Sequence, residues 1–498
     1  KTAYEIYQCD WSSDVCSSDL VGDDAPGLHD HDPVAAASGQ REIVQHRHHR
    51  AALRLPAAHQ VFLQALQRAH RLREFVRQAG PAGERMGNLG GRQSGSACKL
   101  LRAFRFRQHD QPRMRARNVA QAGLARAAQQ AGAEVHLVAG PVALARLRQG
   151  PFTPAEVRVV PGAAGGPKGL ILGPLDQFLF GDWLPRGGHT VHLLGASIGA
   201  WRMTAACMAD PVAALQRLAE DYITQRYDHA PGQSPLPGHV SAVFGAKLQE
   251  HFGGREAALL AHPQYRLHVF TSHGRRWLRR ETARWRTGLG YGAAFASNLV
   301  ARSALGAWLE RVVFSDPRDT LPLPLHDFRG QQVGLSPQNL IPAVLASCSI
   351  PFWLEAVHDI PGAPRGAYWD GGITDYHLHL RYDRLLAGDA GQGADPGWVL
   401  YPHFQPTLVP GWLDKSWRWR HRATPALDRV VVLAPRPEWL ATLPGGRLPS
   451  REDFKAYLDD DAARERAWRR AVAESQRLAD EFQAWVEGRA TPELQPLP

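Results

Sequence analysis

A G-x-S-x-G sequence directly after a short apolar run constrains the fold of this chain more than any other feature. Residues 191–194 predict a buried strand, and Gly195 and Gly199 bracket Ser197. Glycines at these positions permit a tight strand-to-helix turn that a Cβ atom would obstruct, so the serine hydroxyl stands exposed at the end of a sheet. Residues 200–208 predict a helix whose first amides favour negative charge beside the serine. The pattern predicts a nucleophile elbow, and an incidental serine in a glycine-rich turn is the alternative.

A glycine-rich loop with one lysine lies upstream, between a predicted strand at residues 157–160 and a predicted helix at residues 170–176. Successive backbone N–H groups in such a loop point toward one position and form an anion-binding nest. The Walker pattern fails because Gly169 follows Lys168 where Ser or Thr is required. A dinucleotide fingerprint fits poorly because Ala164 occupies its first glycine position. We therefore interpret the loop as the source of an oxyanion hole.

A carboxylate follows a third short apolar segment. Asp370 comes after residues 367–369 and is followed by Gly371 and Gly372. A lone Asp-Gly-Gly is more often a hairpin turn. Its position downstream of the other two motifs favours a carboxylate that faces the serine across a sheet edge.

The order of the three motifs resembles the patatin-like phospholipases, a family of serine acyl hydrolases. The likeness covers roughly residues 151–435 and includes residues 346–351, which are similar to the family's helix end ahead of the aspartate. It implies an α/β fold of three layers, with a mostly parallel central sheet flanked by helices. It also implies a Ser–Asp dyad without a catalytic histidine, no cofactor and no metal. Ala164 departs from the family pattern, in which many members have glycine, and this affects how many amides the loop donates.

The resemblance assigns a role to each motif. The expected catalytic residues are Ser197, which attacks the carbonyl of a lipid ester or another carboxylic ester, and Asp370, which takes its proton. Burial of the carboxylate would raise its pKa and make it a stronger base. The expected glycines of the elbow are Gly195 and Gly199. The expected oxyanion hole consists of Gly165, Gly166, Lys168 and Gly169. An alternative role for the lysine is to brace the loop or to meet a lipid phosphate.

Two other functions remain open. The first is an α/β-hydrolase esterase with a Ser-His-Asp triad, which usually places the oxyanion loop farther from the nucleophile and ends with a late histidine. His377 and His379 are available, but their alternating spacing predicts solvent-facing side chains. His192 is predicted to be a packed histidine of the strand before Ser197. The second function is a non-catalytic, lipid-binding member of the fold.

The chain divides into four segments of different composition. Residues 1–20 resemble a recurrent translated sequencing-adapter artefact. Residues 21–150 contain 19 Arg against one Lys, which predicts a non-native, disordered or chimeric segment. Within it, residues 133–139 predict a buried strand, which we interpret as a fragment or a coincidence. Residues 151–435 are the expected hydrolase domain, and residues 436–498 are the expected C-terminal helical extension, with one long helix from residue 460 to 487.

The basic charge of the chain does not indicate nucleic-acid binding. The net charge is +10, but residues 21–150 alone carry +11 and residues 151–498 carry +2. A nucleic-acid partner needs a basic face on the folded domain, so none is expected. Cys207 and Cys348 lie in apolar helical contexts and predict buried thiols in a reducing compartment, which favours the cytoplasm.

Two segments combine tryptophan with cations, as side chains at a membrane interface do. Residues 412–422 contain Trp417 and Trp419 among arginines, and residues 275–280 have a similar composition. No run of about 18 apolar residues predicts a membrane span. We therefore expect a cytoplasmic protein with peripheral membrane contact through Trp417 and Trp419. Ordinary surface packing of Arg on Trp is the alternative.

Overall fold

A mixed sheet with a parallel centre forms the middle layer of the fold. The computed structural model describes residues 135–229, 235–319, 321–325, 327–385, 397–457 and 460–498. The strands are β1 (Val135–Ala139), β2 (Val157–Gly162), β3 (Val191–Ala196), β4 (Tyr265–Gly274), β5 (Leu309–Ser315), β6 (Gly330–Gly334), β7 (Val357–His358), β8 (Ala367–Trp369), β9 (Trp398–Pro402), β10 (Val430–Pro435) and β11 (Leu494–Pro496). Their order in the sheet is β11-β1-β10-β9-β2-β3-β4-β5-β6, and β8 joins β4 and β7.

Helices pack against this sheet and carry the polar surface of the domain. They are α1 (Pro141–Leu147), α2 (Gly173–Phe178), α3 (Ile198–Ala206), α4 (Pro211–Ile223), α5 (Pro237–Phe252), α6 (Glu256–Leu260), α7 (Arg284–Val300), α8 (Leu340–Cys348), α9 (Gly372–Asp375), α10 (Pro437–Leu440), α11 (Asp453–Ala456), α12 (Asp461–Glu474) and α13 (Gln476–Val486). The predicted class, an α/β fold of three layers with a mostly parallel central sheet flanked by helices, is confirmed.

The central strands are parallel and buried on both faces. Strands β2, β3 and β4 run side by side in parallel, and β9 and β10 continue the parallel arrangement beyond β2. Strands covered by helices on both faces are nearly continuous apolar runs, and every residue of β3 is buried. The carboxyl ends of parallel strands share one edge of the sheet, which is where open α/β sheets bind ligands.

The folded unit begins before the boundary predicted at residue 151. Residues 135–150 form β1 and α1, and β1 pairs antiparallel with β10 and parallel with β11. Its apolar side chains are buried in the same core as the central strands, so the predicted boundary lies too late along the chain. The strand predicted at residues 133–139 is therefore part of the fold, and its interpretation as a fragment or a coincidence, made because of the arginine-rich composition around it, is wrong. Residues 1–134, which contain the other predicted segments and boundaries before residue 151, lie outside the described residues.

The C-terminal extension is mainly helical and packs beside the glycine-rich loop. The predicted long helix is two helices, α12 and α13, that meet at Ser475, whose hydroxyl donates to the carbonyl of Val472. Trp468 of α12 packs with Leu170 and Ile223 in a small apolar cluster. This contact places the extension directly against the segment that follows the loop.

Candidate active site

Ser197 lies on a strained turn between β3 and α3. Its φ is 55° and its ψ is −128°, a positive φ that is rare for a residue with a Cβ. A Cβ on Gly195 would lie 2.4 Å from the Cα of Ala200, and a Cβ on Gly199 would lie 1.8 Å from the carbonyl oxygen of Gly162. Both glycines are therefore required by close backbone approach, and the turn has the geometry of a nucleophile elbow.

The structure brings the predicted serine and aspartate into direct contact. The Ser197 hydroxyl donates to one carboxylate oxygen of Asp370 at 2.7 Å. The other oxygen accepts the backbone N–H of Gly372 at 2.7 Å, so each carboxylate oxygen has a different partner. Both side chains are buried. An activated nucleophile lies within hydrogen-bond reach of a base, and a third group orients that base. Ser197, Asp370 and the N–H of Gly372 have this arrangement.

Ser347, at the end of α8, connects the elbow to the aspartate strand. Its hydroxyl accepts the Ser197 N–H at 2.9 Å and donates to the carbonyl of Phe270 at 2.7 Å. Its own carbonyl accepts the N–H of Gly371 at 3.1 Å, and the N–H of Asp370 donates to Ser349 at 2.9 Å. This explains why the segment 346–351, noted in the sequence only for its family resemblance, belongs to the site.

Burial sets the protonation of Asp370. Removal from water raises the pKa of this carboxyl to about 6, against the opposing effects of the Ser197 hydrogen bond and the positive charge of Arg451. A carboxylate with a pKa near neutrality accepts a proton more readily than an exposed one while remaining mostly ionised at pH 7.

The glycine-rich loop lies beside the cavities that reach the serine. Gly165 and Gly166 line the cavities that reach Ser197. Among the described residues, neither of their N–H groups donates to an acceptor outside the helix that starts at Gly166, whereas the N–H of Ala164 donates to Tyr376 at 2.9 Å. The N–H of Ala164 is therefore already engaged, and Gly165 and Gly166 remain the predicted donors of the oxyanion hole.

The structure places the other two predicted oxyanion residues behind the loop. Lys168 is buried with its Nζ atom 5.4 Å from the ring centroid of Phe404. A Cβ on Gly169 would lie 3.3 Å from the side chain of Ile198, which shows close packing of the loop on α3. Neither residue lines the two cavities that reach Ser197. At these positions, Lys168 and Gly169 are better placed to support the loop than to contact a reacting atom.

A buried ion pair fixes the loop helix to the elbow helix. Asp176 of α2 accepts two hydrogen bonds from the Arg202 guanidinium of α3, at 2.6 and 2.8 Å. Both side chains are nearly inaccessible to solvent. A paired, bidentate contact of this kind has a defined geometry, and loss of one partner would leave an uncompensated buried charge.

Two cavities of different chemistry meet at Ser197. The first, here called the polar cavity, also contains Asp370 and is lined by Lys415, Arg451, Glu452 and Lys455 together with apolar side chains such as Ile350, Trp353 and Trp412. The second, here called the apolar cavity, is lined mainly by aromatic and aliphatic side chains, including Val240, Phe244, Ile350, Trp353 and Leu354, with Arg226, Arg451, Lys455 and Asp461 also in its lining. The sequence motifs gave no signal for these walls, because the residues that form them come from separate segments without a recognisable pattern.

The downstream histidines lie away from the serine. The prediction that His377 and His379 face solvent is wrong: the first is fully buried against His403 and Val409, and the second is mostly buried. Burial holds the pKa of His377 well below its usual range and lowers that of His379 to about 4. Neither lines a cavity that contains Ser197. The prediction that His192 is packed is confirmed, since it is buried and lies 3.0 Å from His268.

The central residues of this site lie within the range of the chain that matches a known protein family. Residues 165–377 match the family model described as patatin-like phospholipase, a range that includes Gly165, Ser197 and Asp370. Comparison with curated protein sequences gives no match. The matched range contains the serine, its carboxylate partner and the glycine-rich loop, whereas Arg451 and its neighbours lie beyond it. Residues 165–377 therefore form a patatin-like phospholipase domain.

Proposed function

We propose that this protein is a serine acyl hydrolase that cleaves carboxylic esters of lipids through a Ser197–Asp370 dyad. The observation that carries the proposal is the 2.7 Å hydrogen bond from the Ser197 hydroxyl to the Asp370 carboxylate, at the point where the two cavities meet. The family match supports a lipid acyl hydrolase, and the contact supplies the nucleophile and the base.

The proposed reaction passes through an acyl-serine. The Ser197 oxygen bonds to the ester carbonyl carbon while its proton passes to Asp370, and the N–H groups of Gly165 and Gly166 stabilise the oxyanion. Collapse of this intermediate breaks the ester C–O bond, and the leaving alcohol takes the proton from Asp370. Water then attacks the acyl-serine, with Asp370 accepting its proton and returning it to Ser197. The apolar cavity accommodates the acyl chain, and the polar cavity accommodates the alcohol portion.

A fluorophosphonate probe tests the nucleophile directly. We expect the wild-type chain to be labelled covalently and Ser197→Ala to lose both labelling and ester hydrolysis. A folded wild-type protein without Ser197-dependent labelling would favour the non-catalytic, lipid-binding alternative. Labelling that persists while Asp370→Asn leaves the hydrolysis rate nearly normal would instead favour a histidine base, as in the triad alternative.

We further propose that the protein contacts membranes peripherally, through a surface centred on α7. Trp285, Leu289, Leu299 and Val300, here called the α7 face, are 68%, 55%, 54% and 84% exposed. Residues 287–301 contain no charged side chain. A solvated surface helix normally turns polar residues outward, so an outward apolar face indicates a partner. No helix of the described residues is long and apolar enough to cross a bilayer.

The surroundings of the α7 face fit an anionic lipid surface. Exposed arginines without an ion pair to described residues flank it: Arg276, Arg279, Arg284, Arg286 and Arg418. Trp419 is 61% exposed in the neighbouring segment, whereas Trp417 is half-buried, with its ring 5.1 Å from that of Phe295 on α7. Trp412 of the same segment lines the polar cavity. Peripheral proteins bind anionic membranes by inserting apolar side chains and by attracting the lipid charges with cations.

The free, buried thiols of Cys207 and Cys348 support the proposed cytoplasmic location.

Vesicle binding tests this surface. We expect the double variant Trp285→Ser/Leu289→Ser to bind phosphatidylglycerol vesicles at least about tenfold more weakly, because two apolar side chains no longer leave water. Hydrolysis of a soluble short-chain ester should stay unchanged. Val142→Ser, an exposed apolar residue of α1, is the control. Unchanged vesicle binding would refute the proposal, as would a dimer that dissociates in the double variant, since the α7 face would then be an interface between copies.

A further inference from the structure

Arg451 occupies the junction between the two cavities that meet at Ser197. It lines both of them. A Cβ built on Gly166 would lie 3.1 Å from its Nε atom, so the guanidinium covers one of the two loop glycines. It is also close enough to lower the pKa of the Asp370 carboxyl. The side chain therefore lies beside both the proposed base and the proposed oxyanion donors.

The positive charge of Arg451 is not neutralised within the described residues. Its guanidinium forms no hydrogen bond or ion pair with any of them, in contrast to the buried Arg202, which is paired bidentately with Asp176. Lys415 and Lys455 line the same polar cavity, and Glu452 and Asp370 are the carboxylates there. Lys415 also lies 4.3 Å from the ring centroid of Tyr376. Three cations against two carboxylates give the lining of this cavity a positive net charge, which favours an anion.

The fold holds Arg451 in place without using its side chain. Asp453 accepts the backbone N–H of Ser450 at 2.9 Å and the indole N–H of Trp468 at 2.7 Å, and it also pairs with Arg447. Trp468 in turn packs on Leu170, next to the glycine-rich loop. The segment that carries Arg451 is thus fixed by its neighbours. This pre-organises the guanidinium for a ligand and reduces the entropy lost on binding.

We propose that Arg451, with Lys415 and Lys455 beside it, binds the phosphate group of a glycerophospholipid whose acyl ester lies at Ser197. A guanidinium fork matches two phosphate oxygens, and its charge strengthens both hydrogen bonds. The acyl chain then lies in the apolar cavity and the phosphate in the polar one. Arg451 is in this sense a specificity-determining residue that selects phosphate-bearing esters over neutral glycerides. The inference rests on the proposed hydrolase function.

The test compares two short-chain esters that remain monomeric in solution, dihexanoylphosphatidylcholine and dihexanoylglycerol. At pH 8, where Asp370 is ionised in each variant, we expect Arg451→Gln to raise KM for the phospholipid about tenfold to a hundredfold, the effect of losing a charged hydrogen-bond pair, and to change kcat/KM for the glyceride less than twofold. Arg451→Lys should recover part of the loss. Arg470→Gln, an exposed arginine of α12, should leave both substrates unaffected. Equal losses on both esters, or no loss on either, would overturn the assignment.

A binding measurement separates this proposal from the hydrolase proposal. In the Ser197→Ala background, we expect dihexanoylphosphatidylcholine to bind in isothermal titration calorimetry and Arg451→Gln to weaken that binding about tenfold or more. This outcome would support the phosphate site even if the wild-type chain proved inactive. Inorganic phosphate that binds as tightly as the phospholipid would overturn the assignment, because the site would then take free phosphate.

Discussion

The family-matched region and the C-terminal extension contribute to the same site in different ways. In residues 165–377, backbone geometry places the reacting groups: Ser197 is on a strained turn, and two glycines allow backbones to approach closely. In the extension, side chains of residues 450–455 form one wall of the polar cavity, and their backbone is held by Asp453. In the proposed function, the first region provides the chemistry of ester cleavage, and the second region determines the choice of substrate.

This difference between the two regions explains which residues of the site appear in a family motif. A close backbone approach permits very few residue types, so the elbow and the loop leave a clear pattern in the sequence. A cation at a cavity wall requires a charge at one position and can come from any segment that reaches it. Members of a family can therefore share the reaction and differ in the ester that they accept. The comparison predicts that changes in the first region affect all esters, whereas changes in the second affect phosphate-bearing ones.

The largest expected effect is that of Asp370→Asn. The amide cannot take the serine proton, so kcat should fall by about 100- to 10,000-fold, the usual contribution of a general base. The loss should be equal for a phospholipid and for a neutral ester, because both need the same base. Steady-state kinetics on both substrates measure it, and circular dichroism verifies the fold. A loss confined to the phospholipid would contradict the division between the two regions.

A smaller, selective effect is expected for Asp453→Asn in the extension. The amide cannot accept from Ser450, Trp468 and Arg447 as the carboxylate does, so the segment that carries Arg451 loosens. We expect kcat/KM for dihexanoylphosphatidylcholine to fall about tenfold relative to dihexanoylglycerol, because the guanidinium is no longer pre-organised. The ratio of the two rate constants is the measurement. An unchanged ratio in a folded variant would show that Asp453 does not position Arg451 for substrate.

The sequence predicted the pairing of Ser197 with Asp370 better than the surroundings of the two residues, for physical reasons. Ser197 and Asp370 each follow a buried strand, and a short apolar run that ends near glycines can be recognised in the sequence without the tertiary structure. The burial of His377 could not be predicted, because the alternating spacing of the histidines does not distinguish a face exposed to solvent from a face covered by a distant strand. Strand β1 was discounted because its arginine-rich neighbours dominate the composition, although its own residues are apolar and buried. Arg451 lies more than 80 residues beyond Asp370 and in no motif.

The pH dependence of hydrolysis links the two regions. The base must be ionised, and burial raises the pKa of Asp370 to about 6. The wild-type kcat/KM for a neutral soluble ester should therefore fall about tenfold per pH unit well below pH 6 and level off above it. The charge of Arg451 lowers this pKa, so Arg451→Gln should move the acidic limb to higher pH. A limb that stays in place, or moves to lower pH, would contradict the proximity of the two groups.

The smallest expected effect is on stability, and it separates a catalytic carboxylate from a structural one. The pKa of Asp370 rises from 3.8 to about 6 on folding, so the folded state binds more protons between these values and stability falls as pH rises through that window. Ionised Asp370 therefore costs about 3 kcal/mol above pH 6. We expect Asp370→Asn to melt a few degrees higher than wild type at pH 8 and at the same temperature at pH 3.5. Asp176→Asn is the matched control, and it should melt lower at pH 8, because it leaves the buried Arg202 without its carboxylate. Thermal melts at the two pH values measure both differences, and a lower melting temperature for both variants at pH 8 would mean that Asp370 stabilises the fold as Asp176 does.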